Sequence, residues 1–157
     1  MRVCLIALLL FSLPACTDPM PSSFPHDAKL IEIFEQHREV FQRVAQLAME
    51  DAAIASSPTN DTLSETRRKE YAQLLDRISP HVQLTLDPSR IVFWFAMSGI
   101  LSIGPESGKG IAFLPRGPAR VGRVLSSLDT DPGHDDVYLR DIGNGWFIIF
   151  QRLDFDR

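Results

Sequence analysis

Val137-Tyr138-Leu139-Arg140-Asp141-Ile142-Gly143-Asn144-Gly145-Trp146-Phe147-Ile148-Ile149-Phe150 is the stretch that decides how this 157-residue chain is to be read. Two strand-like runs flank Gly143-Asn144-Gly145, and Asn-Gly accepts the positive φ angles that a type I′ hairpin turn demands. Working upstream, residues 129–136 form an acidic loop leading into this hairpin. Before it, Val121, Val124, Leu125 and Leu128 fall at helical spacing, which predicts a short helix with Arg120 and Arg123 exposed. Pro115-Arg116-Gly117-Pro118 closes a preceding strand over residues 111–114. Residues 104–110 carry three glycines and a proline and read as a loop with Lys109 at its tip. Residues 91–97 are apolar on both faces, as in a central strand, and Ser98-Gly99 suggests a bulge or tight hairpin before a further run at residues 100–103. Residues 82–86 alternate apolar and polar, and Asp87-Pro88-Ser89-Arg90 is a turn.

Upstream of Pro80 the period changes to that of helices. Leu30, Phe34, His37, Phe41, Val44 and Ala48 recur at alternating steps of four and three, so residues 27–50 are predicted to form one amphipathic helix with Asp27 as its N-cap. Ile33, Val40 and Leu47 widen its apolar stripe. His37 lies on that stripe, either as a hydrogen-bonded histidine at the core's edge or as a catalytic or ligand residue. Residues 56–61 break the helix, and Thr62 with Glu65 makes a capping box for a second one. That helix runs to about Ile78, buries Tyr71, Leu74, Leu75 and Ile78, and stops at Ser79-Pro80. Arg67-Arg68-Lys69 near its start is a solvated face or an anionic contact. The fold expected is α+β: an N-terminal helical pair packed on a mostly antiparallel sheet of five or six strands.

At the other end of the chain, Arg2 precedes an apolar run at residues 3–11, which ends in Ser12 and Leu13-Pro14-Ala15-Cys16. A membrane-crossing helix needs about 20 apolar residues, and Thr17-Asp18-Pro19 ends this run too soon, so it reads as a signal peptide. Leu13-Pro14-Ala15-Cys16 resembles the lipobox of bacterial lipoproteins; an ordinary secretory signal cut after Ala15 is the alternative. The resemblance implies cleavage before Cys16, diacylglycerol on its sulfur, and a membrane contact made through that lipid. It also implies a cell-envelope protein facing the periplasm, with Thr17 rather than an acid after Cys16 favouring the outer membrane. Residues 1–15 would then be signal peptide, residues 16–26, with Pro19, Pro21 and Pro25, an extended tether, and residues 27–157 a single domain. Cys4 leaves with the signal peptide and Cys16 is consumed by lipid, so no disulfide is expected in the mature chain.

The formal charge is −4, and it becomes more negative when a segment containing Arg2 and no acid is removed. An acidic domain is a poor match for a phosphate backbone, and no nucleic-acid partner is expected. With 45% apolar and 23% charged residues, no repeat and no low-complexity block, the composition is that of a globular domain.

Candidate chemistry is sparse. Gly104-Pro105-Glu106-Ser107-Gly108-Lys109-Gly110 departs from a phosphate-binding P-loop: three residues rather than four separate its first glycines, and Gly110 stands where Ser or Thr is required. Asp129, Asp131, His134, Asp135 and Asp136 combine hard-cation and transition-metal ligands. Counted from Asp129, however, the EF-hand positions for Gly and Glu hold His134 and Arg140. After lipidation there is no free Cys, and there is no Gly-x-Ser-x-Gly or Ser-x-x-Lys motif. Paired acids of a glycan hydrolase need no fixed spacing, and nothing singles out two acids here. No catalytic residue and no cofactor are expected.

Ser107-Gly108-Lys109-Gly110-Ile111 and Ile142-Gly143-Asn144-Gly145-Trp146-Phe147 resemble stretches of small uncharacterised bacterial envelope proteins; this likeness covers roughly the C-terminal half and carries no functional residues across. The function expected is that of a non-enzymatic, lipid-anchored envelope protein that binds another protein, such as an immunity protein against a periplasmic toxin. Lys109, Arg116, Arg120 and Arg123 are its candidate partner contacts. A metal-dependent envelope enzyme and a structural component of an envelope assembly are the alternatives.

Overall fold

Asn144 and Gly145 turn the chain with φ of 55° and 79°, the left-handed pair that a two-residue hairpin needs. The turn joins β5 (Val137–Gly143) to β6 (Trp146–Leu153), and the Gly143 amide donates to Asp141 Oδ1 at 2.7 Å. The computed structural model describes residues 24–54, 63–87, 89–98, 106–130 and 136–153. Around the hairpin lie α1 (Asp27–Gln36), α2 (Arg38–Ile54), α3 (Glu65–Asp76), β1 (Gln83–Asp87), β2 (Arg90–Ser98), β3 (Glu106–Phe113) and β4 (Arg123–Val124). The strands form one six-stranded sheet in the order β1-β2-β3-β6-β5-β4. Every pairing is antiparallel except β4 with β5. The class is the α+β expected, with the helices ahead of the sheet strands in sequence.

Sheet residues alternate between two apolar layers because successive side chains point to opposite faces. Phe93, Ile111, Ile148 and Phe150 join Leu30, Phe34, Phe41 and Leu47 of the helices in one cluster. Val92, Trp94, Ala112, Leu139, Phe147 and Ile149 form the layer on the other face. Trp146 sits at the centre of the helix-facing layer, its ring 5.1 Å from Phe34, 5.8 Å from Phe41, 6.1 Å from Phe93 and 5.0 Å from Phe113. Phe24, assigned by sequence to the tether, is buried and stands edge-on to Phe150 at 5.7 Å, so the packed domain includes it.

Several expectations need correction. The helix over residues 27–50 is two helices: His37 leaves helical geometry at φ −118°, ψ 21°. Its carbonyl accepts the Val40 and Phe41 amides at 2.9 and 3.1 Å, restarting the ladder as α2. The apolar stripe survives the break, since Leu30, Phe34, Phe41 and Val44 are all fully buried. His26, not Asp27, occupies the α1 cap position. Ser64 caps α3, its Oγ accepting from the Arg67 amide at 3.2 Å; Thr62 lies outside the described residues. The register of β2 against β3 shifts between Trp94 and Ala96; the bulge or tight hairpin expected at Ser98-Gly99 and the run expected at residues 100–103 reach into residues 99–105, which lie outside the described residues.

A further correction concerns glycine. Glu106–Gly110 is not a loop but the first part of β3. A Cβ on Gly110 would lie 2.2 Å from the Phe93 carbonyl oxygen, and one on Gly108 would lie 2.9 Å from the Trp94 ring. These glycines give room for close packing rather than for a turn. The same cause removes the helix expected over residues 121–128, where Gly122 would bring a Cβ to 2.2 Å from Val137 O. The chain there makes one 3-10 turn, Pro118–Arg120, then β4 beside β5, with the Leu125 amide donating to Leu139 O at 2.7 Å.

Candidate functional site

His26 is extended, at φ −62° and ψ 150°, and its carbonyl accepts the Lys29 and Leu30 amides at 3.0 and 3.2 Å. Asp27 is therefore free to turn its carboxylate to the sheet. Lys109 Nζ stands 2.8 Å from Asp27 Oδ1, and Arg140 Nη1 stands 2.8 Å from Oδ2. The Leu128 amide donates to Oδ2 at 2.7 Å. Lys109 also donates to the Leu128 carbonyl at 2.7 Å and lies 3.4 Å from Asp129 Oδ1. That same Asp129 oxygen accepts the Asp27 amide at 2.6 Å.

The Lys109 and Asp27 side chains are 1% and 0% exposed, whereas Arg140 keeps 30%. Burial works against ionisation of Asp27. Lys109, the Leu128 amide and Arg140 outweigh it and hold the carboxyl below the ordinary carboxylate range. Two anions and two cations balance across α1, β3, β5 and the segment before β5. With its charges satisfied by one another and by backbone, this cluster fastens the start of the helical layer to the sheet.

A second network ties α2 to α3. The Tyr71 hydroxyl donates to Asp51 Oδ2 at 2.7 Å, and Arg67 Nε stands 3.0 Å from Asp51 Oδ1. Burial and the Asp51 carboxylate push the Tyr71 phenol up. Arg67 also pairs with Glu70 at 2.9 Å and so belongs to this network, whereas Lys69, paired with Glu65 at 2.7 Å, lies on the exposed face. His37 is half-buried and lines a cleft of about 320 Å³ with Glu35, Arg38, Glu39 and Arg77.

The sequence-derived contact residues are divided by the fold. Lys109, expected at a loop tip, is buried in β3 and unavailable as a surface contact, because its flanking glycines sit in the sheet interior. Arg116 and Arg123 are exposed, and Arg120 lies between them in the 3-10 turn. Residues 115–124 contain these three arginines and no acid. They end in β4, the last strand of the sheet, where Val124 is 51% exposed. Of the metal candidates, Asp129 belongs to the buried cluster, and Asp136 Oδ1 accepts the Val137 amide at 2.8 Å. Asp131, His134 and Asp135 lie outside the described residues, as does Cys16. Among the described residues no three His, Cys, Asp or Glu side chains converge as a metal site, and no helix is long and apolar enough to cross a membrane.

Compared with known protein families, curated proteins and solved structures, the chain finds no match in any of the three. Geometry alone therefore ranks its surfaces. The exposed arginine segment beside β4 brings Arg116 and Arg123 to the surface, and Asp27 and Arg140 are the residues sequence reasoning missed. A signal was present in the strand period: Lys109, Ile111 and Phe113 share one face of β3, and a cation on an apolar face demands a buried anion.

Proposed function

We propose that this chain is a non-enzymatic, lipid-anchored envelope protein that binds another protein, in the form of an immunity protein that neutralises a toxin delivered to the periplasm. The observation that carries the binding reading is the exposed arginine segment. In a chain of net charge −4, Arg116 just after β3 and Arg123 on the edge strand β4 stand exposed on a stretch without acids. A complementary acidic surface would be steered to this stretch. The address rests on Leu13-Pro14-Ala15-Cys16, whose thiol is the group that takes a thioether-linked lipid.

The test is capture of a partner from envelope extracts by the detergent-solubilised chain, set beside the Arg116→Glu/Arg123→Glu double variant. One envelope protein should be retained by the native chain and bound at least about tenfold less tightly by the variant, a loss of roughly 1.4 kcal/mol. Thermal unfolding of the two should coincide. Equal retention by both, or no specific retention, overturns the reading. Labelled palmitate should enter the native chain and not the Cys16→Ser variant.

A further inference from the structure

β1 ends the sheet opposite β4, and among the described residues no strand pairs with its outer side. The two edges differ in kind. β4 has two residues and follows a proline-led turn, features that blunt an edge against pairing. β1 has five residues, Gln83-Leu84-Thr85-Leu86-Asp87, with no proline, no lysine and an unbroken register against β2. Its leucines are half-buried and packed on the core cluster. Among the described residues, the apolar layer thus reaches this edge of the sheet without being closed.

We infer that β1 pairs antiparallel with β1 of a second copy about a two-fold axis at Thr85, joining the two sheets into one. The strand is complementary to itself. About that axis Leu84 faces Leu86 of the second copy, Thr85 faces Thr85, and Gln83 faces Asp87. Apolar and Thr-Thr cross-strand pairs are stabilising, and no like charges stand opposite each other. Hydrogen bonding fits as well. Asp87 pairs with Arg90 across a two-residue connection, which makes them the hydrogen-bonded closing pair, so alternation along the ladder turns the amides and carbonyls of Leu84 and Leu86 away from β2. Those groups meet their counterparts in the second copy. An isologous contact of this kind closes on itself, using up the open edge without propagating into a fibre.

The test uses the full chain in detergent. Sedimentation of the native protein should give a protein mass near twice that of the single processed chain measured under denaturing conditions. In a Cys4→Ser/Cys16→Ser background, Thr85→Cys should form an intermolecular disulfide on mild oxidation. Leu84→Cys or Leu86→Cys alone should do so about fivefold less, because each would lie diagonal to its own copy, whereas the two mixed should cross-link as Thr85→Cys does. A monomer at about 100 µM, which excludes a functionally useful affinity, or equal cross-linking at all three positions, overturns the inference. The native sedimentation result stands independently of whether any variant folds.

Discussion

Lys109 has its ammonium closed off from water by Asp27, Asp129 and the Leu128 carbonyl. Such a pair contributes little over an apolar replacement, but removing one member strands the other. Asp27→Ala should therefore cost about 3–5 kcal/mol in urea unfolding. Replacing both residues, as Asp27→Leu with Lys109→Met, should recover part of that loss, since the buried Leu128 amide and Arg140 still lose the Asp27 carboxylate. Arg140 is 30% exposed, and Arg140→Ala should cost less than Asp27→Ala. Much of this cluster was hidden in the sequence for a physical reason. Asp27 and Arg140 lie 113 positions apart, and a lone Asp before an amphipathic run has the same appearance whether it caps a helix or pairs across a fold. Lys109 between two glycines resembles a turn because glycine serves both conformational freedom and lack of bulk. Here bulk decides: the described glycines at positive φ are Gly117, Gly143 and Gly145, while Gly108 and Gly110 give way to Trp94 and the β2 backbone.

Elements were legible where a local rule sufficed. The Asn144-Gly145 turn, the alternation of β1 and the helical stripe from Leu30 to Ala48 each follow from near neighbours. They failed where a long-range contact chose between two periods. Four apolar residues among 121–128 match a helix, but the Pro118 turn and the contact of Gly122 with Val137 O select an edge strand instead. Two substitutions separate these causes. Asn144→Ala, forced to keep φ near 55°, should lose about 1–2 kcal/mol through left-handed strain alone. Gly110→Ala has no such strain and should still lose about 1–3 kcal/mol or more, because its new methyl overpacks the β2 backbone. Thermal unfolding of both variants beside the native chain checks the pair.

For the whole molecule, the two networks set opposite limits in pH. Asp27 is held below its unfolded value, so its contribution is present above the unfolded carboxylate pKa of about 3.9 and is lost as pH falls through the lower folded value. Unfolding free energy should decline with acid below about pH 4, and the Asp27→Asn chain should show a shallower decline. Tyr71 is displaced upward by burial and by Asp51. Its contribution is full below the unfolded phenol value of about 10 and fades as pH rises above it. Tyr71→Phe should flatten that alkaline limb, measured by urea unfolding across pH.

Asp27 is also the place where a mechanical load would enter the domain. Should the chain hang from a bilayer by its amino-terminal side, any drag on a captured cargo pulls on Phe24 and Asp27. The grip there is shared between Lys109 on β3 and Arg140 on β5, strands on either side of β6. Tension is thereby spread over the middle of the sheet instead of peeling a single end, and the hook gives way only when two cations and the Leu128 amide release one anion together.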